Sequence, residues 1–170
     1  MKLKEIIIGE IERETPLTRR ALEAFPEGRD DWKPHPKSMP LGRLASMIAS
    51  MPSWMKMQVE TGEFDLSPPA GAAPSSFARQ FKNAADLTVA MDEGFAGARK
   101  ALEGATDEFM METWSLKMKG QVVSAGPRYQ MLRDVLMHLS HHRGQLTVYL
   151  RLNDVKVPAI YGPSADDQRF

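Results

Sequence analysis

The chain has 170 residues, and its 22 Lys and Arg balance 22 Asp and Glu, so the formal net charge is zero. That balance excludes the clustered basic footprint on which affinity for phosphate depends, and no nucleic-acid partner is expected. The absence of cysteine removes disulfides, thiolate nucleophiles and cysteine-ligated zinc, and no run of about 18 apolar residues marks a membrane span.

The length predicts one domain over residues 1–170. The N-terminal stretch MKLKEIIIGEIERETP has an apolar core too short for a signal peptide, broken by Gly9 and Glu10. Cytoplasmic residence is therefore the expectation.

The first segment, about Leu3 to Phe25, places Ile7, Ile11, Thr18, Leu22 and Phe25 on one face of a helix. Pro16 interrupts it and predicts a kink or two short helices in line. The stretch from Pro26 to Asp31 then breaks the helix, and Trp32 to Pro36 is non-helical because residues before proline avoid the α region. Ser38 is a candidate cap for a second helix over about Pro40 to Gly62, with the stripe Leu41, Leu44, Ile48, Met51, Met55 and Val59 and a bend at Pro52. From Gly62 to Ser76 the chain is rich in Pro, Gly, Ala and Ser and has no period, which reads as a long crossover within one domain.

Ser75 or Ser76 would cap a third helix over about Phe77 to Glu103, carrying Phe81, Ala84, Met91, Phe95, Ala98 and Leu102. Beyond it Trp114, Leu116 and Met118 alternate with polar residues, the period of an extended segment near residues 113–123, and Val122-Val123 offers a return strand. Pro127 suits the first position of a last helix that runs to about Leu152, with Tyr129, Leu132, Leu136, Leu139, Leu146 and Leu150 on one side. The fold class expected is all-α: a four-helix bundle with a long crossover between its second and third helices.

Any chemistry lies on the last helix. His138 and His142 are four apart, about 40° around the axis and one turn along it, so two imidazoles can reach one ion together. Residues Val135, Leu139, Leu146 and Tyr149 bracket the pair and predict that it faces the core. His141 lies about 60° to the other side of His138 and is a bystander. Two histidines leave a catalytic site short of about three protein ligands. Asp134, one turn before His138, can serve as ligand or as orienter of an imidazole, and His35 in the proline-flanked loop is a further donor. Tyr149, two turns on from His142, is near enough to assist. The competing reading is a hydrogen-bonded pair with no ion. Arg143 and Arg151 read as residues of a solvated face, and Trp32, Trp54 and Trp114 as core packing or a pocket wall.

The stretches ERETPLTRRALEAFPEG, WKPHPKSMPLGRLASMIASMPSW and the long run from Trp114 to Asp167 resemble the DinB (damage-inducible) family of bacterial proteins, HHRGQLTVYLR and IYGPSAD being the most specific pieces. The likeness covers nearly the whole chain. It implies a DinB-like four-helix bundle, a homodimer, and a divalent metal (zinc, nickel, iron or manganese) held by three histidines. Two of those positions fall on His138 and His142. The third falls within a stretch resembling LGxLAxHIAxxPxW, where this chain has Met47. A thioether is neutral and soft, suited to copper(I) more than to those ions, and methionine is also a common core filler. Substitution at position 47 therefore predicts a weakened or absent metal site. The resemblance further implies a metal-dependent thiol-transferase or hydrolase-like enzyme acting on a small molecule or thiol. The alternative is a non-catalytic, stress-associated dimer or small-ligand binder that has lost its ion.

Overall fold

The computed structural model describes residues 2–67 and 80–169. In chain order it contains α1 (Leu3–Glu23), α2 (Leu41–Glu60), β1 (Glu63–Asp65), α3 (Ala84–Leu102), α4 (Asp107–Met111), β2 (Thr113–Met118), β3 (Gln121–Pro127) and α5 (Arg128–Leu152). The four long helices close a ring: α1 packs on α3, α3 on α2, α2 on α5 and α5 on α1. No helix among the described residues is long and apolar enough to cross a membrane.

The apolar stripes are the reason for that ring. Ile7, Ile11, Thr18 and Leu22 of α1 are buried, as are Leu41, Leu44, Ile48, Met51 and Met55 of α2. Met91, Phe95, Ala98 and Leu102 of α3 belong to the same core as Leu132, Leu136, Leu139, Leu146 and Leu150 of α5.

The mostly helical expectation holds, but all-α is too narrow. A three-stranded sheet in the order β1-β2-β3 closes one side, β1 parallel to β2 and β2 antiparallel to β3. Lys119 and Gly120 turn the hairpin with φ of 53° and 78°, the left-handed conformation that a two-residue hairpin turn needs. The Asp65 carboxylate accepts the N–H groups of Ser67, Lys119 and Gly120 at 2.8, 3.0 and 2.7 Å, which ties β1 to that turn. Those three donors, led by Ser67, hold the Asp65 carboxyl below its ordinary pKa.

Other expectations shift at element ends. Pro16 does not divide α1 into two helices: the helix runs unbroken from Leu3 to Glu23. Pro16 and Glu12, whose carbonyl loses its partner, are both exposed, so water can take the freed group. The N-cap of α2 is Pro40, with no side-chain cap, in place of Ser38. Ser75, Ser76 and Phe77, expected to begin the third helix, lie outside the described residues. The helix itself begins at Ala84, because Asn83 accepts the Asp86 N–H at 2.8 Å and caps it. Phe81 is buried just before that helix, and its N–H donates to Ser46 Oγ at 2.9 Å. The short α4 has its own cap, Thr106 accepting from Phe109 N–H.

Candidate functional site

Helix α5 brings His138 and His142 together with their Nε2 atoms 2.8 Å apart and their ring centroids 4.5 Å apart. The direction of each hydrogen bond follows from its neighbours. Gln145 Oε1 lies 2.7 Å from His142 Nδ1, and a carbonyl oxygen only accepts, so Nδ1 carries the proton. His142 Nε2 is then a lone pair and accepts from His138 Nε2–H. The Gln145 amide is completed on its other side, its Nε2 donating to His141 Nε2 at 3.1 Å. Three imidazoles and one amide thus form a single directed chain.

Neighbouring atoms strip part of the hydration from the His138 ring even though much of the side chain is exposed, which disfavours its imidazolium. The adjacent His142 and His141 add to this, so its pKa falls below the ordinary value. Burial lowers His142 as well, against an opposing contribution from its bond to Gln145.

The pair does not face the core, contrary to the expectation from its apolar neighbours. His138 is exposed and His142 half-buried. The charged residue turned inward from this stretch of α5 is Arg143, which is 1% exposed, against the expectation of a solvated face. Its guanidinium donates to Glu14 Oε2 at 2.6 Å, Thr18 Oγ1 at 2.8 Å and the Tyr161 hydroxyl at 2.5 Å. Tyr161 in turn donates to Glu14 Oε2 at 2.8 Å. The IYGPSAD segment therefore pins the C-terminal tail to α1 and α5.

His138 also borders a cavity of about 410 Å³ between α2, the hairpin and α5. Its ring lies 6.3 Å from that of Trp54, centroid to centroid. Trp54, Gln58, Trp114 and Val135 form the buried wall, while Leu66, Ser124, Asp134 and His138 are exposed and mark the mouth. Of the three tryptophans, two thus line a pocket; Trp32 instead meets Tyr149 edge-on at 5.5 Å.

Of the remaining candidates, Asp134 lines the same cavity as His138. Met47 is half-buried on α2 and packs against the core, seven residues before Trp54 and so on nearly the same helix face. His35 lies in the exposed loop before α2, where its Nδ1 accepts the Lys37 N–H at 3.2 Å. The Tyr149 hydroxyl is committed to Met39 O at 3.1 Å. Among the described residues no group of three or more His, Cys, Asp or Glu can hold a metal ion, so Asp134 does not complete the pair. The donor set suits two coordination positions, with Gln145 orienting His142 as a second-sphere partner does, and does not match a three-histidine centre.

Gln145 and Gln58 join the site without a motif of their own. Gln145 was legible in principle, three and four residues after His142 and His141; Gln58 carries no local signal.

Comparisons with known proteins agree with this frame. A DinB-like protein of Bacillus cereus ATCC 10987 superposes with a TM-score of 0.70 at 19% identity, over 92% of this chain and 97% of that one. The DinB-like protein YjoA of Bacillus subtilis gives 0.64 at 19% identity, over 96% and 99%. These likenesses concern the fold. The protein YrdA of Bacillus subtilis is 42% identical over 41 residues, 24% of this chain and 25% of YrdA's own length, so the match spans about a quarter of that relative. The family model for the DinB family matches residues 10–169, and the chain belongs to that family.

Proposed function

We propose that this chain is a small-ligand-binding protein built on a DinB-like four-helix bundle, homodimeric, that has given up a resident three-histidine metal centre. The observation that carries the reading is the His138–His142 pair itself: its Nε2 atoms satisfy each other at 2.8 Å, with no third His, Asp or Glu joining them among the described residues. Methionine at position 47 supplies a donor too soft to replace an imidazole for zinc, nickel, iron or manganese. What the chain's own residues do is hold two neutral imidazoles in fixed tautomers, one of them, His138, at the mouth of an apolar cavity.

A second reading is favoured by one feature. Gln145 leaves the His142 Nε2 lone pair free of a proton, the state a metal ligand requires. On that reading the protein is a metal-dependent, thiol-transferase or hydrolase-like enzyme, and the ion's chemistry is to lower the pKa of a bound water or thiol.

Elemental analysis of protein purified without a nickel column separates the two. The expected result is sub-stoichiometric metal in the wild type and a clear gain in Met47→His. Near-stoichiometric zinc, nickel, iron or manganese in the wild type overturns the first reading. Light scattering on the eluted peak tests the dimer.

A further inference from the structure

Gln58 of α2 is 5% exposed and lines the cavity beside the histidine pair, yet its Oε1 is buried without a hydrogen-bond partner. Its main-chain carbonyl is satisfied separately by the Arg128 guanidinium, so the deficit belongs to the side chain. A buried acceptor without a donor is costly. Because Gln58 lines the cavity and its terminal torsion is soft, a donor held in the cavity is the partner that the side chain can adjust to meet.

The surroundings define that donor. Trp54, Trp114, Leu116, Met131 and Val135 make the wall apolar. Trp114 is fixed in place, its indole N–H donating to Thr61 Oγ1 at 3.3 Å. Among the described residues no Lys or Arg lines the cavity, and the charged group at its mouth is the Asp134 carboxylate. An anion entering here would lose its hydration beside a like charge and find no cation. A buried ammonium would lack a counter-charge at Gln58. The volume of about 410 Å³ lies in the range of small-molecule sites.

We propose that this cavity binds a largely apolar small molecule carrying a neutral hydroxyl or N–H, donated to Gln58 Oε1, and that it rejects carboxylates, phosphates and thiolates. The assignment rests on the small-ligand reading above and adds the class of ligand to it.

Phenylpropanol, its methyl ether and phenylpropanoate share one apolar body and differ in the donor and the charge. Titrations follow tryptophan fluorescence and heat, on protein dialysed against EDTA and again with zinc added. The alcohol is expected to bind about tenfold tighter than the ether, the worth of one neutral hydrogen bond, and the carboxylate more weakly than both. Gln58→Leu should abolish the preference for the alcohol while leaving the ether's affinity in place. Equal affinity for alcohol and ether overturns the assignment to Gln58, as does tightest binding of the carboxylate. Absence of binding by all three overturns the cavity as a site. Binding that appears only with zinc overturns the small-ligand reading beneath it, whereas binding without zinc but without preference leaves that reading standing and removes the donor.

Discussion

The Nε2 atoms of His138 and His142 lie 2.8 Å apart and share one proton. Adding a second proton breaks that bond and places a cation beside two further imidazoles. Desolvation already lowers both pKa values from the ordinary histidine value. In the unfolded chain both titrate near about 6.5. As pH falls through that value the unfolded state takes up protons first, so stability held above it is lost as pH falls. The thermal midpoint is expected to drop between about pH 7.5 and pH 5 more steeply in the wild type than in the His138→Asn, His142→Asn double variant. Parallel curves would show that the pair is not held neutral. Nitrogen-15 spectra of the imidazoles give a second check: His142 should report protonation at Nδ1 and His138 at Nε2.

Arg143 is a buried charge whose partners come from α1 and from the C-terminal tail. Removing one partner leaves the other uncompensated, and Glu14→Ala is expected to cost about 3–5 kcal/mol in urea unfolding. Tyr161→Phe deletes one neutral donor and acceptor and should cost about 1 kcal/mol. The pair is replaceable as a unit: Arg143→Met with Glu14→Leu should be less damaging than Glu14→Ala alone. A double variant worse than either single would mean that the ion pair itself stabilises the fold.

The Arg143 burial also shows where sequence reading stops. Leu139, Arg143, Leu146 and Leu150 continue one helical stripe, so the position was legible as inward; only the charge argued against it. Its counter-ion lies 129 residues away in sequence, beyond any local period. The stripes of α1, α2 and α5 were legible because a helix of 20 residues or more repeats its signal several times. The edges were not: Asn83-Ala84-Ala85-Asp86 and the serines at 75 and 76 are both cap signals, and only the tertiary structure decides between them. The histidine pair was legible by spacing, and its partnership with Gln145 by the same spacing. Its place at the edge of a cavity was not, because Trp54 and Trp114 come from two other elements.

Gly94 sets how closely α3 approaches α2. A Cβ there would lie 2.9 Å from both Pro52 Cβ and Ser53 N, and neither neighbour is the free end of a flexible chain. Gly94→Ala must push the helices apart, at an expected cost of about 1–3 kcal/mol despite the better helix propensity of alanine. Gly144, with nothing within 4 Å of its Cβ position, is the control on α5. Gly144→Ala should stabilise by up to about 1 kcal/mol. Denaturant midpoints with unchanged slopes would read both effects, and a neutral Gly94→Ala would show that the contact relaxes freely.

Gln145 makes the difference between a lone pair that points at an ion and one that wanders. Its Oε1 holds the His142 Nδ1–H at 2.7 Å, which fixes both the tautomer and the ring plane. In the Met47→His background, where a third imidazole is supplied, Gln145→Leu is expected to weaken zinc binding by about 10–100-fold, the usual consequence of losing a second-sphere partner. Competition against a chromophoric chelator at fixed pH measures it. In the wild-type background the same substitution should change zinc affinity far less, because two imidazoles that already satisfy each other gain little from being oriented. Equal losses in both backgrounds would place the ion on His138 and His142 alone, and the identity of residue 47 would then have no bearing on metal binding.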